Sequence, residues 1–335
     1  MKIPVAILGS TGAVGQKFIS LLESHPLFEV AEVCASLKNI GKTYGKAVDW
    51  REKKKLSPSI AQLKIKDHKN LSSPIILSSL PSEIAIDWEP FLAEKGHHIV
   101  SNASALRMST DVPLIIPEIN SHDISFIKNQ STKGKIITNP NCATVFFALG
   151  LHPLLKMGDI SNVSVFTLQA LSGAGYPGVA SWDILSNIIP NIGGEEEKLE
   201  TEVHKIFKNC LGYNDFDVTA NVSRVPVVHG HTIILHARFK DEIKVSEVDK
   251  RFLELSQEMP QLYKYYTDLY SPQPLKHLDD NDYRAHIGRV KQGGDKKTIS
   301  ITSMGHNLVR GAAGAALLNL ELLAKETLNL ENKLT

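Results

Sequence analysis

The segment GSTGAVG, residues 9–15, constrains the fold of this chain more than any other feature. It places Gly9, Gly12 and Gly15 three residues apart, after the apolar run VAIL and before a segment whose apolar residues recur at helical spacing. Glycines between a strand and a helix let the backbone approach a pyrophosphate, and the helix N-terminus offers free N–H groups and partial positive charge. The context predicts a dinucleotide-binding βαβ unit, and a merely tight turn is the alternative.

The residues after the second predicted strand bear on the choice between NAD and NADP. The strand FEVAEVC is followed by ASLKN, with Ser36 and Lys38 where an NAD-binding chain usually places a carboxylate for the ribose 2′-hydroxyl. A hydroxyl and an ammonium instead suit a 2′-phosphate. The segment therefore favours NADP over NAD, with an ordinary polar loop as the alternative.

Apolar patterning predicts an α/β chain of two domains. Residues 1–140 contain further short apolar strands, IILSS and HHIVS, separated by a helix, which predicts a Rossmann-type doubly wound parallel sheet. Residues 141–305 combine longer β-rich segments with helical ones such as EEEKLETEVHKIF, which predicts an α+β second domain. The tail, residues 306–335, has small and apolar residues in helical order, and we expect this helix to complete the first domain.

Charge and composition exclude several classes of partner. Lys and Arg number 37 against 36 Asp and Glu, a net charge of +1, so nothing points to nucleic acid. No apolar stretch reaches the roughly 18 residues of a membrane span, and the N-terminus lacks signal-peptide architecture. A cytosolic protein that binds a small molecule is predicted. Cys34, Cys142 and Cys210 are widely spaced, so disulfides and metal sites are not expected.

Cys142, in the segment TNPNCAT, has two interpretations. It follows a short apolar strand and precedes the helical segment VFFALGLHPLL. The N–H groups at the start of that helix would favour a thiolate, as a nucleophile requires. Free cysteines are nevertheless often buried packing residues. Local sequence leaves both interpretations open, whereas Cys34 and Cys210 have only the packing interpretation.

Two further segments carry candidate polar groups. RVPVVHGHT brings Arg224, His229 and His231 together at a strand end, and both histidines would share one face if the strand continued. LQALSGAGYPG places Gln169 before a glycine-rich loop, residues 172–178, that is able to approach a flat ring closely. A structural turn is the alternative for this loop.

Taken together, these motifs resemble the aspartate-semialdehyde dehydrogenase family, particularly its archaeal and fungal branch. The segments that carry the resemblance span essentially the whole chain in the family's order: GSTGAVGQKF, SNASALRM, VPLIIPEIN, TNPNCAT, LQALSGAGYPG, DILSNIIPNIGGEEEK, SRVPVVHGHT and HNLVRGAAGAALLNLELL. The resemblance implies an NADP-dependent oxidoreductase of lysine, threonine and methionine biosynthesis. Its reaction is reductive dephosphorylation of L-aspartyl 4-phosphate to L-aspartate 4-semialdehyde through a cysteine thioester.

The resemblance also implies roles for the matching positions. The catalytic residues would be Cys142 as nucleophile, His231 as general acid/base and Gln169 to orient the substrate. The substrate-binding residues would be Arg107, Asn141, Glu195, Lys198 and Arg224. The cofactor-binding residues would be Gly9, Thr11, Gly12, Ala13, Val14, Gly15, Ser36, Lys38, Ser172, Gly173 and Asn307.

The substrate's charges match these residue types. Arg224 would hold the α-carboxylate in a bidentate pair, a geometry that guanidinium supplies and ammonium does not. Glu195, or a neighbour within residues 195–197, would receive the α-ammonium. Arg107 and Lys198 would bind the phosphate, and Asn141 would lie near the phosphate or the oxyanion. No metal has a role in this chemistry.

The resemblance assigns residues 141–305 to catalysis and dimerisation and implies a homodimer or homotetramer. A malonyl-CoA reductase-like acyl-CoA reductase is the nearest alternative, but its substrate has no α-amino acid end for Arg224 and Glu195 to bind. N-acetylglutamyl-phosphate reductase fits the segments GEEEK and RVPV poorly. A catalytically silent NADP-binding protein would have no reason to keep Cys142 with His231.

Overall fold

The computed structural model describes residues 2–210, 213 and 215–328. The chain forms two compact units, Met1–Pro140 with Ala312–Thr335, and Asn141–Gly311. Each unit is built on its own six-stranded sheet. The predicted combination of a Rossmann-type parallel sheet with a second, α+β domain is confirmed.

The first unit contains a parallel sheet of order β3-β2-β1-β4-β5-β6. Its strands are β1 (Ile3–Leu8), β2 (Phe28–Cys34), β3 (Ile65–Lys66), β4 (Ile75–Ser78), β5 (His98–Ser101) and β6 (Ile136–Thr138). The strand order reverses between β1 and β4, which makes the turn after β1 the usual ligand site of an open parallel sheet.

The second unit contains a mixed sheet of order β10-β11-β12-β9-β7-β8. Its strands are β7 (Ile160–Gln169), β8 (Asp217–Arg224), β9 (His231–Phe239), β10 (Tyr263–Tyr265), β11 (Ala285–Gln292) and β12 (Thr298–Gly305). β7 runs parallel to β8 and antiparallel to β9. The ends of β7 and β8 therefore meet the start of β9 at one edge of the sheet.

The α-helices lie between these strands and after the last one. They are α1 (Ala13–Leu22), α2 (Tyr44–Ala47), α3 (Pro58–Ala61), α4 (Ser82–Glu94), α5 (Pro117–Asn120), α6 (Cys142–Leu155), α7 (Ser181–Ile184), α8 (Glu195–Phe207), α9 (Val245–Glu258), α10 (Pro274–His277) and α11 (Gly314–Leu328). A short π-helix, Val309–Ala313, precedes α11.

Helix α11 belongs to the core of the first unit. Its residues Ala316, Leu317, Leu320 and Leu323 are buried in one cluster with Phe18 of α1. Small and large apolar residues in helical order allow this close packing against the sheet and α1.

The last helical segment begins later than predicted. It starts at Val309 rather than at residue 306, and residues 306–311 belong to the second unit. The reason is the Asn307 side chain, whose Oδ1 accepts the N–H of Gly230 at 2.9 Å and so ties this stretch to the start of β9. The end of the predicted helix, residues 329–335, lies outside the described residues.

Candidate active site

Strand polarity assembles the polar residues of the second unit. Gln169 ends β7 and pairs with Arg224, which ends β8, while His231 begins the antiparallel β9. His231 also pairs with Gly305, the last residue of β12. Residues far apart in the sequence therefore converge at one edge of this sheet, against which α6 packs.

Helix α6 begins at Cys142, and Asn141 is its N-cap. The Asn141 Oδ1 accepts the N–H groups of Ala143 at 2.9 Å and Thr144 at 3.4 Å, which satisfies two otherwise unpaired donors. The thiol thus lies at the positive end of a helix of 14 residues. Because the side-chain oxygen of Asn141 caps the helix, its side-chain Nδ2 is the atom that donates to Glu195.

Cys142 lies beside His231. The Cys142 Sγ and His231 Nε2 atoms are 3.1 Å apart, although 89 positions separate the residues. His231 is completely buried, and burial lowers its pKa to about 3, with additional contributions from Arg224 and His306. The Cys142 sulfur and a neutral imidazole are therefore in contact.

Arg224 is a buried cation next to this pair. Its Nη1 donates to the carbonyl oxygen of Ala170 at 2.7 Å, which leaves other guanidinium donors for a bound anion. Burial lowers the pKa of Arg224, while Cys142 and Glu195 act in the opposite direction. The Arg224 charge therefore faces both the sulfur and the carboxylate.

Glu195 is the centre of a buried polar cluster. Its Oε2 accepts from Asn141 Nδ2 at 2.7 Å and Gln169 Nε2 at 3.4 Å, and its Oε1 accepts from Lys198 Nζ at 2.8 Å. Burial raises the pKa of Glu195, but the hydrogen bond and charge of Lys198, helped by Asn141 and Gln169, produce a net lowering. The cluster holds an ionised carboxylate against Asn141, the residue before Cys142.

The three glutamates at the start of α8 have different surroundings. Glu195 is buried in the cluster just described, Glu196 accepts the N–H of Val222 at 3.2 Å, and Glu197 is exposed. Among these three, Glu195 is the one that contacts Asn141.

Glu202 is a buried carboxylate that the sequence patterns did not single out. Its Oε2 accepts the N–H of Asn141 at 2.7 Å, directly before Cys142. Glu202 is seven residues after Glu195 in a predicted helix, and that spacing places both on one face. The spacing alone does not show that Glu202 contacts the segment before Cys142.

Gly173 lies against both Arg224 and His231. A Cβ atom at this position would be 2.9 Å from Arg224 Nη1 and 2.9 Å from His231 Cε1. Such distances are shorter than van der Waals contact, so any larger residue must displace one of the two side chains. The glycine of the loop is therefore required by close packing.

We expect Gly173→Ala to lower kcat by about 10²-fold, because displacement of reacting groups by about 1 Å costs that much. Gly193→Ala is the matched control, since a Cβ there meets nothing within 4 Å. Steady-state kinetics on both variants, with circular dichroism to verify folding, tests this expectation. Equal kcat values for the two variants would show that the loop tolerates a side chain here.

Ser172 and Asn307, both predicted cofactor contacts, are hydrogen-bonded to each other. Asn307 Nδ2 donates to Ser172 Oγ at 2.8 Å. His229 is exposed on the bend before β9 and stacks on buried His306 with ring centroids 5.1 Å apart. β8 ends at Arg224 and β9 begins at His231, so no strand continues through His229 and the condition for a shared strand face is not met.

The glycine turn of the first unit has the geometry that a dinucleotide needs. Gly9 has φ +72°, and a Cβ there would lie 2.7 Å from the carbonyl oxygen of Ser79. A Cβ on Gly15 would lie 2.3 Å from the oxygen of Gly9, whereas one on Gly12 meets only that oxygen, at 3.4 Å. Gly9 and Gly15 are therefore required by the turn, and Gly12 leaves the backbone open at the N-terminus of α1. The residues present fit a pyrophosphate.

The remaining predicted residues of the first unit lie in two places. Ser36 and Lys38 are exposed directly after β2, and Ser36 Oγ accepts from Asn39 Nδ2 at 3.4 Å. Arg107 is buried, and its Nη2 donates to the carbonyl oxygen of Asn102 at 2.8 Å.

Within the part of the chain that the structure describes, no helix is both long and apolar enough to cross a membrane. The same residues contain no group of three or more His, Cys, Asp or Glu side chains arranged to hold a metal ion.

Two family models match this chain, one mainly in each unit. A family model described as semialdehyde dehydrogenase, NAD binding domain matches residues 4–127, and one described as semialdehyde dehydrogenase, dimerisation domain matches residues 151–310. The aspartate-semialdehyde dehydrogenase of Archaeoglobus fulgidus is 41% identical, over 97% of this chain and 99% of that protein.

One solved structure and one further enzyme are also similar to this chain. The aspartate semialdehyde dehydrogenase of Candida albicans, solved with NADP, matches with a TM-score of 0.85 and 30% identity over 97% of this chain and 99% of its own. A malonyl CoA reductase (NADP) of Metallosphaera sedula is 32% identical over 97% of each chain. The similarity to the malonyl CoA reductase is thus lower than that to the archaeal dehydrogenase.

Proposed function

The chain belongs to the aspartate-semialdehyde dehydrogenase family, and we infer that it reduces L-aspartyl 4-phosphate to L-aspartate 4-semialdehyde with NADPH. The observation that carries this inference is the contact of 3.1 Å between Cys142 Sγ and His231 Nε2. This pair lies at a helix N-terminus with Arg224 and Glu195 beside it. The protein is therefore an enzyme of amino-acid biosynthesis.

We assign the covalent step to Cys142. Its sulfur attacks the acyl carbon of aspartyl phosphate, the C–O bond to phosphate breaks, and a thioester remains on the enzyme. When bound, NADPH supplies the hydride that reduces the thioester carbon. Collapse of the resulting thiohemiacetal re-forms the carbonyl group and releases the sulfur. His231 handles the hydrogen-bond and proton chemistry at this sulfur.

We assign the amino acid end of the substrate to Arg224 and Glu195. Guanidinium donors of Arg224 would pair with the α-carboxylate, and the Glu195 carboxylate would accept the α-ammonium. Both are buried near the sulfur, where charge pairing is stronger than in water. Gln169 and Asn141, which contact Glu195, would orient the reacting carbonyl.

We assign the phosphate to Arg107 and Lys198. Both are cations, and a phosphate with two negative charges requires such partners. Lys198 Nζ lies 2.8 Å from Glu195 Oε1, so this cation is beside the proposed amine site.

We propose that the first unit holds NADP(H). The turn Gly9 to Gly15, with Thr11, Ala13 and Val14, would bind the pyrophosphate, and Ser36 and Lys38 the 2′-phosphate. Ser172, Gly173 and Asn307 are further proposed cofactor contacts. The open backbone at Gly12 and the NADP in the Candida albicans structure support this assignment.

We propose that the second unit forms a homodimer, because the family model that matches residues 151–310 is described as a dimerisation domain. A homotetramer built from two such dimers is the second candidate. Sedimentation velocity at micromolar concentration distinguishes the two assemblies.

The function is tested by an assay with aspartate semialdehyde, phosphate and NADP, followed as NADPH absorbance. We expect phosphate-dependent NADPH formation and no reduction of malonyl-CoA in the reverse assay. Efficient malonyl-CoA reduction without phosphate-dependent oxidation would reject the proposed substrate in favour of an acyl-CoA.

We expect a strong preference for NADP over NAD. Loss of one charge-assisted contact of about 1.5 kcal/mol corresponds to about tenfold in affinity, so Lys38→Ala should raise the KM for NADP by about that factor and leave NAD unaffected. Lys46→Ala, which removes another exposed ammonium, is the control. Equal rates of the unmodified enzyme with NAD and NADP would contradict the 2′-phosphate assignment.

A further inference from the structure

Glu89 is a fully buried carboxyl group in the middle of α4, in the first unit. Its exposure is 0%. Glutamate is almost never fully buried in a folded protein, and a buried polar group of this kind requires an explanation. Its neighbours are the hydroxyl groups of Ser101 and Ser78, and among the described residues the charged group that acts on it is Arg107. The carboxyl group is therefore directed to the end of the sheet that carries Arg107.

Glu89 holds the start of the turn that follows β5. This turn, residues 101–107, is called the Arg107 turn below. Ser101 Oγ donates to Glu89 Oε1 at 2.7 Å and accepts the N–H of Ala103 at 3.1 Å. The serine hydroxyl thus links the carboxyl group in α4 to the backbone of the turn.

Helix α4 contacts the Arg107 turn at a second point. Ser82 Oγ accepts the N–H of Ser104 at 3.1 Å and lies 2.8 Å from its hydroxyl oxygen. Ser82 and Glu89 are seven residues apart in α4, which places both on one face of the helix. Within the turn, Arg107 Nη2 donates to the Asn102 carbonyl oxygen at 2.8 Å. One face of α4 therefore holds the backbone to which the guanidinium is bonded.

The surroundings of Glu89 favour its neutral form. Removal from water disfavours the charged form of a carboxyl group, and burial raises the pKa of Glu89. Hydrogen bonds from Ser101 and Ser78 and the charge of Arg107 oppose this increase only in part. A neutral carboxyl group still accepts from Ser101 through Oε1, and its own O–H can donate to the Ser78 hydroxyl oxygen.

The protonation of Glu89 affects the potential at Arg107. An ionised carboxylate near a guanidinium offsets its positive charge and so weakens its attraction for a phosphate. A neutral carboxyl group keeps the same hydrogen bond to Ser101 and has no such effect. A neutral Glu89 can therefore fix the turn without opposing the binding of an anion.

We propose that Glu89 is a positioning residue that, as a neutral carboxylic acid, holds the Arg107 turn through Ser101, so that Arg107 is placed for the substrate's phosphate without an opposing charge from Glu89. This deepens the proposed function and rests on the assignment of the phosphate to Arg107. It gives a buried side chain of α4 a part in the selection of an acyl phosphate.

Two substitutions separate the hydrogen bond from the charge. Glu89→Gln keeps the Oε1 acceptor in a neutral group, whereas Glu89→Leu has similar volume and no acceptor. In phosphate-dependent oxidation of aspartate semialdehyde, we expect Glu89→Leu to raise the KM for phosphate about tenfold, the effect of weakening one charge-assisted contact. The KM values for aspartate semialdehyde and NADP should change by about twofold or less, as should all three values in Glu89→Gln.

Glu94→Leu is the matched control, because Glu94 is exposed in the last turn of the same helix. Ser101→Ala removes the hydrogen bond from the other side, and we expect the same selective rise in the KM for phosphate. An equal rise in Glu89→Gln and Glu89→Leu would show that the charge is needed and would overturn the neutral form. An unchanged KM for phosphate in both Glu89→Leu and Ser101→Ala would overturn the positioning role.

The protonation of Glu89 is measured separately, by infrared difference spectra of the full chain against Glu89→Gln at neutral pH. We expect the variant to lose the C=O band of a protonated carboxyl group. Loss of carboxylate bands instead would contradict the proposal. These spectra need no turnover, so they decide the state of Glu89 even in a chain that lacks phosphate-dependent oxidation of aspartate semialdehyde, a result that would refute the proposed function itself.

Discussion

Replacing Cys142 with alanine is expected to lower kcat by on the order of 10⁴-fold or more while NADP binding is retained, because no other group in contact with His231 can form the thioester. The side chain is small and only partly buried, so the fold should be unaffected. The measurement is phosphate-dependent oxidation of aspartate semialdehyde, with NADP affinity determined by isothermal titration.

Cys210→Ala is the matched control for this variant. Its thiol is also partly buried, and it donates to the Ile206 carbonyl oxygen at 3.5 Å. We expect activity within about twofold of the unmodified enzyme, because surface changes are usually mild. Full activity of Cys142→Ala would contradict the covalent mechanism.

Replacing His231 with asparagine is expected to lower kcat by about 10²–10³-fold, within the usual range for loss of a positioned acid/base group at a reacting centre. The buried Nε2 is 3.1 Å from the sulfur, and the shorter asparagine amide would not reach it. NADP affinity should be unchanged, since His231 is not one of the proposed cofactor contacts. Steady-state and single-turnover kinetics separate a chemical defect from a binding defect.

The matched control is His229→Asn. His229 is two residues away in the sequence and exposed, with its ring on His306. We expect a change in kcat of about twofold or less. If His229→Asn proved the more damaging change, the proton chemistry would have to be reassigned to the His229 and His306 pair.

Local sequence predicts most of the first unit well. The glycine turn, the strands around it and the helix α1 all follow from short-range patterns, because a parallel sheet buries continuous apolar strands and the turn demands glycine at Gly9 and Gly15. The predicted helix in EEEKLETEVHKIF coincides with α8 (Glu195–Phe207), since acidic residues at its start and apolar residues at helical spacing agree.

The edge of the second sheet is harder to predict. β10 (Tyr263–Tyr265) has three residues, and the pairing register of β11 (Ala285–Gln292) shifts after Gly288. A short strand offers too few alternations to be recognised, and a bulge breaks the period of two on which recognition depends. Both strands were therefore absent from the predicted elements.

The candidate site was only partly accessible from local sequence. A helix N-terminus at Cys142 is a local feature, but it left a packing thiol and a nucleophile as equal interpretations. The family resemblance identified His231, Arg224 and Glu195 as partners, and the structure places them in one buried group. Glu202 was missed, because a hydrogen bond to the backbone N–H of Asn141 leaves no trace in the residue types of the loop.

The sequence by itself determined the cofactor fold, the residue types of the site and the family, because turn chemistry, strand patterning and ordered motifs are local properties of the chain. Only the tertiary structure decided which of these residues meet. Strand polarity brings the ends of β7 and β8 to the start of β9, and His231 Nε2 lies 3.1 Å from Cys142 Sγ although 89 positions separate the two residues. Contacts between residues so far apart depend on the path of the whole chain, so local patterns do not reveal them.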